Sequence, residues 1–246
     1  KSSLLIKTNL IIYRIIEFVN REQWINTTNL VTTSTDCAAI LKLTTNNYTN
    51  TSKRFIVQTT LKQITMQDRG PWKVKSTEIK YKNPWIEVRE DKVITPGGND
   101  GLYGVTKALD GVCVVSIDEQ DIIHIVKEFK YAVNSYRLEG VCGGIEDGHT
   151  PEHTAHKELQ EELGIQADSL EYLGGFDTFT SIVECTMHLY IARGISFSQH
   201  AHEDTEVIEH CSLPLTQAYA MTQSGEINHL PTSYIIQNLY IQSLQK

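Results

Sequence analysis

From Trp72 onward the chain alternates apolar and polar residues in short runs. Ser76–Tyr81 and Trp85–Val93 read as half-buried strands, with Asn83-Pro84 marking a break between them. Pro96-Gly97-Gly98-Asn99-Asp100-Gly101 reads as a turn. Leu102–Lys107, Val112–Ile117 and Ile122–Phe129 follow as strands, and Asp118–Asp121 as a hairpin connection. Gly140–Gly148 reads as a glycine-rich turn leading into a helix that begins near Pro151. Leu173–Phe179 and Thr186–Ala192 are further strands, and Pro214–Ser224 and Pro231–Leu244 close the chain as helical patterns. Strands gathered around one acidic central helix predict an α+β fold rather than a doubly wound sheet.

Upstream the pattern changes. Residues 1–65 contain none of the 15 glycines or 6 prolines, and hold 20 Asn plus Thr. Stretches such as Thr44–Ser52 read as loop or disorder. Leu4–Val19 is apolar and β-branched, and suits a short helix or a pair of strands. No small-residue cleavage site follows it, so a signal peptide is not expected. Met66 stands where an initiator would stand, so residues 1–65 are expected to be an appended extension, with a regulatory or tethering segment as the alternative. Charge divides at the same point: eight basic and three acidic residues before it, 14 and 27 after it.

The whole chain carries a formal charge of −8, which disfavours a dedicated nucleic-acid binder, because neutralising phosphates needs a basic face. No apolar run reaches the length needed to span a bilayer, roughly 18 residues. The five cysteines, Cys37, Cys113, Cys142, Cys185 and Cys211, are scattered and form no CxxC pair. Neither a zinc knuckle nor a disulfide framework is therefore expected, and reduced thiols in a cytoplasmic protein are. Of the nine histidines none falls in an H-E-x-x-H spacing, so zinc-protease chemistry is not supported, and isolated surface imidazoles are expected.

The informative segment runs from Gly143 to Ile165. Proline at the first turn with Glu152 beside it favours a helix start, and Gly164 a C-terminal stop. Within that helix Glu158, Glu161 and Glu162 are spaced i, i+3, i+4, so three carboxylates share one face. Like charges at this spacing repel, and the arrangement makes sense where a divalent cation sits against oxygen ligands. A solvated acidic face is the alternative, weakened by the glycine-rich loop that precedes it.

This segment resembles the Nudix box: Gly143, Glu158, Leu159, Glu161, Glu162, Gly164 and Ile165 match at the required spacing. His149 stands where the first glutamate of the box belongs, and Lys157 where its arginine belongs. These two cannot form the salt bridge of the family pattern, and lysine lacks the planar fork of arginine. The resemblance extends from about Trp72 to the C-terminus. Trp85–Asp91, Val126–Tyr131, Leu138-Glu139, Cys142-Gly143-Gly144, Glu206–Glu209 and Ser224–Ile227 are similar to the ADP-ribose pyrophosphatase branch.

The resemblance implies a Nudix α/β/α sandwich with a mixed sheet, preceded by a small N-terminal antiparallel β subdomain and a poorly ordered extension. Residues 1–65 are then the extension, 66–107 the β subdomain, which serves dimerisation, and 108–246 the hydrolase domain. It implies metal-dependent hydrolysis of a pyrophosphate bond in ADP-ribose or a related nucleoside diphosphate sugar, with Mg2+, or Mn2+ in its place. Glu158 and Glu162 would be metal ligands, Glu161 a ligand or support, and the main-chain carbonyl of Cys142 a further ligand. Glu206 would bind metal or position the water, with Asp204 as a second candidate for the base and Glu203 nearby. Lys127, Lys130 and Glu139 are expected on the substrate side, although each lysine is equally accounted for as solvated. Trp85 reads first as strand core, with stacking on a base as its other role. Cys142 reads as a small residue in a tight loop rather than a nucleophile. Cys185, beside Glu184, stands where the branch tends to carry a carboxylate. A homodimer without nucleic-acid or membrane partners follows, and a catalytically weak domain that senses a nucleotide is the competing reading.

Overall fold

A computed structural model describes residues 30–34, 37–45 and 55–62 by their backbone and residues 66–198 and 207–245 in full. The chain divides into two compact units, Lys1–Lys75 with Ile94–Gly98, and Ser76–Val93 with Asn99–Lys246. In the first, β1 (Leu30–Ser34), β2 (Cys37–Thr45) and β3 (Phe55–Lys62) form an antiparallel sheet with β2 in the middle. The β-branched content of these strands (Val31, Thr32, Thr33, Ile40, Ile56, Val57) is the local reason they form, and of the Thr44–Ser52 stretch read as loop, Thr44 and Thr45 are the end of β2. Residues 46–54 lie outside the described residues. Further on, β4 (Gln67–Arg69) pairs with the start of β5 (Trp72–Lys82) across Gly70, whose φ of +57° suits a residue without a Cβ.

The second unit begins as β5 continues, and holds β6 (Ile86–Ile94), β7 (Asp100–Ala108), β8 (Gly111–Ile117), β9 (Ile122–Lys130), β10 (Ser135–Glu139) and β11 (Val141–Gly144). Helix α1 (Pro151–Leu163) follows, then β12 (Ile165–Asp177), β13 (Val183–Glu184), β14 (Thr186–Phe197), β15 (Glu209–Pro214), α2 (Leu215–Ser224) and α3 (Leu230–Ser243). Strands β5, β6 and β7 lie side by side, and β13 pairs in parallel with β7. Arg89 on β6 donates to Glu184 on β13 at 3.0 Å, tying the small sheet to the loop before β14.

The larger sheet runs β10-β9-β8-β14-β12, with β11 on β8 and β15 on β9. It is mixed: β14 runs parallel to β8, whereas the other pairs are antiparallel. All seven residues of β8 are buried, because both of its faces are covered. Val112 and Val114 point to one face, where Ala155, Leu159 and Leu163 of α1 pack on them with Val126 and Val141. Cys113, Val115 and Ile117 point to the other, against Leu215 and Ala218 of α2 and Ile235, Ile236 and Leu239 of α3. Helices on both faces of one mixed sheet make the α/β/α sandwich. Each fully buried aliphatic side chain contributes about 1.5–3 kcal/mol to holding these layers together. Among the described residues no helix is long and apolar enough to cross a membrane.

Helix α1 begins and ends where the sequence signals stand. The Thr150 hydroxyl accepts from the His153 N–H at 3.1 Å, Pro151 occupies the first turn, and Gly164 closes the helix at φ +61°. The glycine-rich stretch before it differs from expectation: residues 141–144 are a strand rather than a turn. The ladder sets Cys142 opposite Cys113, Gly143 opposite Val112 and Gly144 opposite Gly111. Glycine serves close approach here. A Cβ at Gly140 would fall 2.6 Å from the Val114 carbonyl oxygen and 3.0 Å from the Cys113 thiol. At Gly144 the nearest atom would be Leu109 Cδ1, at 3.4 Å. Gly140→Ala is accordingly expected to lower stability by about 1–3 kcal/mol in urea unfolding, and Gly144→Ala by less than about 0.5 kcal/mol.

Candidate active site

The carboxylate face of α1 opens on a cavity of about 380 Å3. Glu158, Glu161 and Glu162 line it from the helix, Cys142, Gly143 and Gly144 from β11, and Glu146 from the loop between them. Trp85, Leu109 and Ile208 complete the wall with Lys157. The three glutamates differ in depth. Glu162 is buried at 8% exposure, the Glu158 side chain shows 16%, and that of Glu161 36%. Gly143 is what lets Glu158 sit there, since a Cβ on it would lie 2.2 Å from the Glu158 Cδ and 2.3 Å from its Oε1. The carboxylate occupies the space that any other residue at 143 would fill.

Lys157 binds this face together. Its ammonium lies 3.4 Å from Glu146, 3.5 Å from Glu161 and 4.0 Å from Glu158. Burial opposes its charge, but Glu161, Glu158 and Glu146 outweigh that and hold its pKa above the ordinary lysine value. A point charge shared among three carboxylates thus stands at the arginine position of the box. His149 takes no part in it. Its ring packs edge-on against His153 with centroids 4.6 Å apart. Glu146, which sequence reasoning left without a role, is the loop partner of Lys157, and its one signal was an acidic residue three positions after Gly143.

The other expected residues are dispersed. Trp85 is 69% exposed and lines the cavity, a correction to its reading as strand core. It follows the Asn83-Pro84 break, where the Asn83 side chain accepts from the main-chain N–H groups of Trp85 and Ile86 at 2.9 and 2.8 Å and so turns the indole outward. Lys127 does not line the cavity. It donates to Glu209 on β15 at 2.9 Å and lies over the Tyr136 ring at 5.8 Å. Lys130 is held by Glu128 and lies 3.8 Å from the buried Glu139. Burial works against the charge of Lys130, and Glu128 and Glu139 restore it, leaving its pKa raised. Glu203, Asp204 and Glu206 lie outside the described residues. Cys185 donates to the Leu109 carbonyl at 3.2 Å.

Behind the cavity, β11 carries a second cluster. The Cys142 thiol turns away from α1 and meets Cys113 and His229. The nearby Cys142 thiol, then His229, draws the Cys113 thiol down to about 6 against the cost of burial, while the Cys142 thiol donates to the Gly140 carbonyl at 3.2 Å. The same pairing with Cys113, reinforced by burial, pushes Cys142 well above the usual thiol range. Burial lowers the pKa of His229, but Cys113 and Glu139 reverse this and leave it raised. No local motif announces this cluster.

The fold and site are thus a mixed sheet between helices, with the glycines of β11 set under an acidic helix face. Residues 107–232 match the NUDIX domain and residues 72–106 the nucleoside diphosphate sugar hydrolase N-terminal domain. The chain belongs to the Nudix family and is a Nudix hydrolase. It is 26% identical over 176 residues to the methanol dehydrogenase activator of Bacillus methanolicus, covering 71% of this chain and 95% of that protein. With the ADP-ribose pyrophosphatase of Bacillus subtilis (strain 168) it shares 27% over 159 residues, 64% of this chain and 86% of the other. With the GDP-mannose pyrophosphatase of Citrobacter koseri it shares 33% over 140 residues, 51% and 70% respectively. The fold is similar to the crystal structure of an ADP compounds hydrolase, with a TM-score of 0.62 and 16% identity over 72% of this chain and 98% of that one.

The Gly143 contact makes a separable prediction. Gly143→Ala meets only the mobile end of a side chain, so its unfolding free energy should fall by no more than about 1 kcal/mol. A crystal structure of the variant should nevertheless show the Glu158 carboxylate displaced from β11. An unmoved carboxylate would mean that the glycine is not what positions it.

Proposed function

We propose that the chain hydrolyses the pyrophosphate bond of ADP-ribose or a related nucleoside diphosphate sugar, giving two monophosphates. The observation that carries the reading is the convergence of Glu158, Glu161 and Glu162 with the β11 edge in one cavity. Hard oxygen donors gathered beside Gly143 and Gly144 of β11 fit magnesium, with manganese as an alternative. Glu158, Glu162 and the Cys142 carbonyl would hold the ions, with Glu161 as ligand or support. Bound magnesium would neutralise the diphosphate and lower the pKa of its water. Glu206 would hold metal or orient the water, and Asp204 is the second candidate for the base that takes its proton. The relatives named for ADP-ribose, ADP-sugar and GDP-mannose pyrophosphatases support the substrate class.

Trp85 lines the cavity with its side chain largely exposed, which suits stacking against the flat base of a nucleotide. Lys127 and Lys130 are committed to Glu209, Glu128 and Glu139, so a diphosphate would have to draw them from these partners. Ile79, Tyr81 and Leu102 on β5 and β7 are exposed at 47, 54 and 65%, which supports the use of this small sheet in a homodimer. A second reading, a nucleotide sensor, is favoured by Lys157, whose ammonium already occupies the carboxylate face where a cation would bind.

The deciding experiment is release of the nucleoside monophosphate, AMP from ADP-ribose and ADP-sugars and GMP from GDP-mannose, with magnesium and with chelator. Metal-dependent release is expected, and Glu162→Gln should reduce kcat by at least about 100-fold, since removing one such charge from a reacting centre costs several kcal/mol. A folded, metal-loaded protein that binds ADP-ribose for hours without cleaving it would establish the sensor. Trp85→Ala should raise KM about tenfold with little change in kcat, the loss of one base-stacking contact. An unchanged KM would remove the indole from substrate binding.

A further inference from the structure

The two faces of β11 carry different chemistry. Gly143 faces the carboxylates of α1, whereas the Cys142 thiol lies in the opposite layer, among residues packed under α3. There the Cys142 and Cys113 sulfurs and a ring nitrogen of His229 all lie within 4.8 Å of one another. Cys113 and Cys142 are directly opposite on two paired strands, so the sheet register fixes their spacing. His229 is the N-cap of α3, and its Nδ1 lies 2.8 Å from the Thr232 hydroxyl. That hydroxyl also accepts from the Gly140 N–H at 2.7 Å and lies 3.7 Å from the Cys113 sulfur. The buried Glu139 carboxylate comes within 3.8 Å of His229 Nδ1.

We propose that Cys113, Cys142 and His229 form a binding site for a zinc-class divalent cation, with Glu139 or a water as the fourth ligand. Two sulfurs and an imidazole select a soft or borderline ion and disfavour magnesium and calcium. Tetrahedral zinc, with Zn–S near 2.3 Å and Zn–N near 2.0–2.1 Å, sets its ligand atoms about 3.6–3.8 Å apart. The three ligand atoms, within 4.8 Å of one another, are close to that spacing, and the paired strands and the helix start hold the residues that carry them. The site is distinct from the proposed magnesium centre, which uses oxygen donors on the other side of β11. It shares with that centre only residue 142, by thiol here and by carbonyl there. Zinc at this place would clamp β11 between β8 and α3 and so stiffen the strand on which Gly143 sits.

The test uses the full chain, purified with a phosphine reductant, stripped with a chelator and titrated with Co2+ in excess Mg2+ to saturate the carboxylate cleft. One Co2+ per chain should produce the near-ultraviolet thiolate-to-cobalt charge-transfer band, which oxygen ligands cannot give, and Zn2+ should abolish it stoichiometrically. Cys113→Ser and Cys142→Ser should each remove about half the band, one of two thiolates, while Cys185→Ser and Cys211→Ser keep it. Cys113 is fully buried, so His229→Gln, at a partly exposed helix start, provides a variant less prone to misfold. It should weaken Zn2+ binding by at least about tenfold, the scale on which disturbed ligation acts. Absence of the band in the wild type would overturn the site, as would a band indifferent to Cys113, Cys142 and His229. A Cys113–Cys142 disulfide that persists through the phosphine treatment, read in the intact mass, would assign the pair to redox chemistry and overturn it equally.

Discussion

The approach of β11 to helix α1 is the constraint on which the rest of the site depends. Helix α1 lies on the sheet through Ala155, Leu159 and Leu163, and this packing fixes how far its carboxylate face stands from the strand beneath. At that separation there is no room for a side chain at 143, and the Glu158 carboxylate takes the space instead. Hydrophobic packing two turns long therefore sets the position of a charged group that it never touches. The same packing keeps Glu162 at 8% exposure, where its carboxylate interacts more strongly with charge than it would in bulk water.

Three carboxylates on one helical face carry an electrostatic cost, and Lys157 offsets it. An ammonium within 4 Å of Glu146, Glu158 and Glu161 offsets part of the repulsion between these carboxylates. An arginine fork would align with one carboxylate in a bidentate pair, whereas the lysine point charge divides itself among three. The contact with Glu146 extends this to the loop, so one cation ties helix, loop and strand edge. Any cation entering the cleft competes with Lys157 for the same oxygens, which makes the loop around Glu146 the first element to sense its arrival.

How much of this was legible in the sequence follows from how local each signal is. Helix α1 was legible at both ends, because Thr150-Pro151 and Gly164 act within a few residues of themselves, and the carboxylates follow from its period. Strands β8 and β9 announced themselves as apolar runs. Strand β11 did not, because Gly140, Gly143 and Gly144 carry the signature of a turn, and only the neighbouring helix shows that they serve close approach. Strand β15 was missed for the opposite reason: Glu209, His210 and Ser212 are polar, and the strand exists through its ladder with β9. Trp85 was placed in the core on its apolar bulk, yet the Asn83 side chain turns the chain there and exposes it. Cys113, Cys142 and His229 stand far apart in the sequence and meet through register and packing, which no spacing rule encodes.

Strand β11 has four residues, yet both layers of the sandwich depend on it. Alternate residues of a strand face opposite sides, and here one side is emptied by Gly143 while the other is filled by the thiol of Cys142. A displacement of the strand toward α1 would drive Gly143 into Glu158, and one toward α3 would compress Cys142 against Cys113 and His229. The Gly140 N–H held by Thr232 at 2.7 Å anchors the start of the strand to α3. The order of β11, more than the identity of any one carboxylate, sets how well the acidic face can hold its geometry.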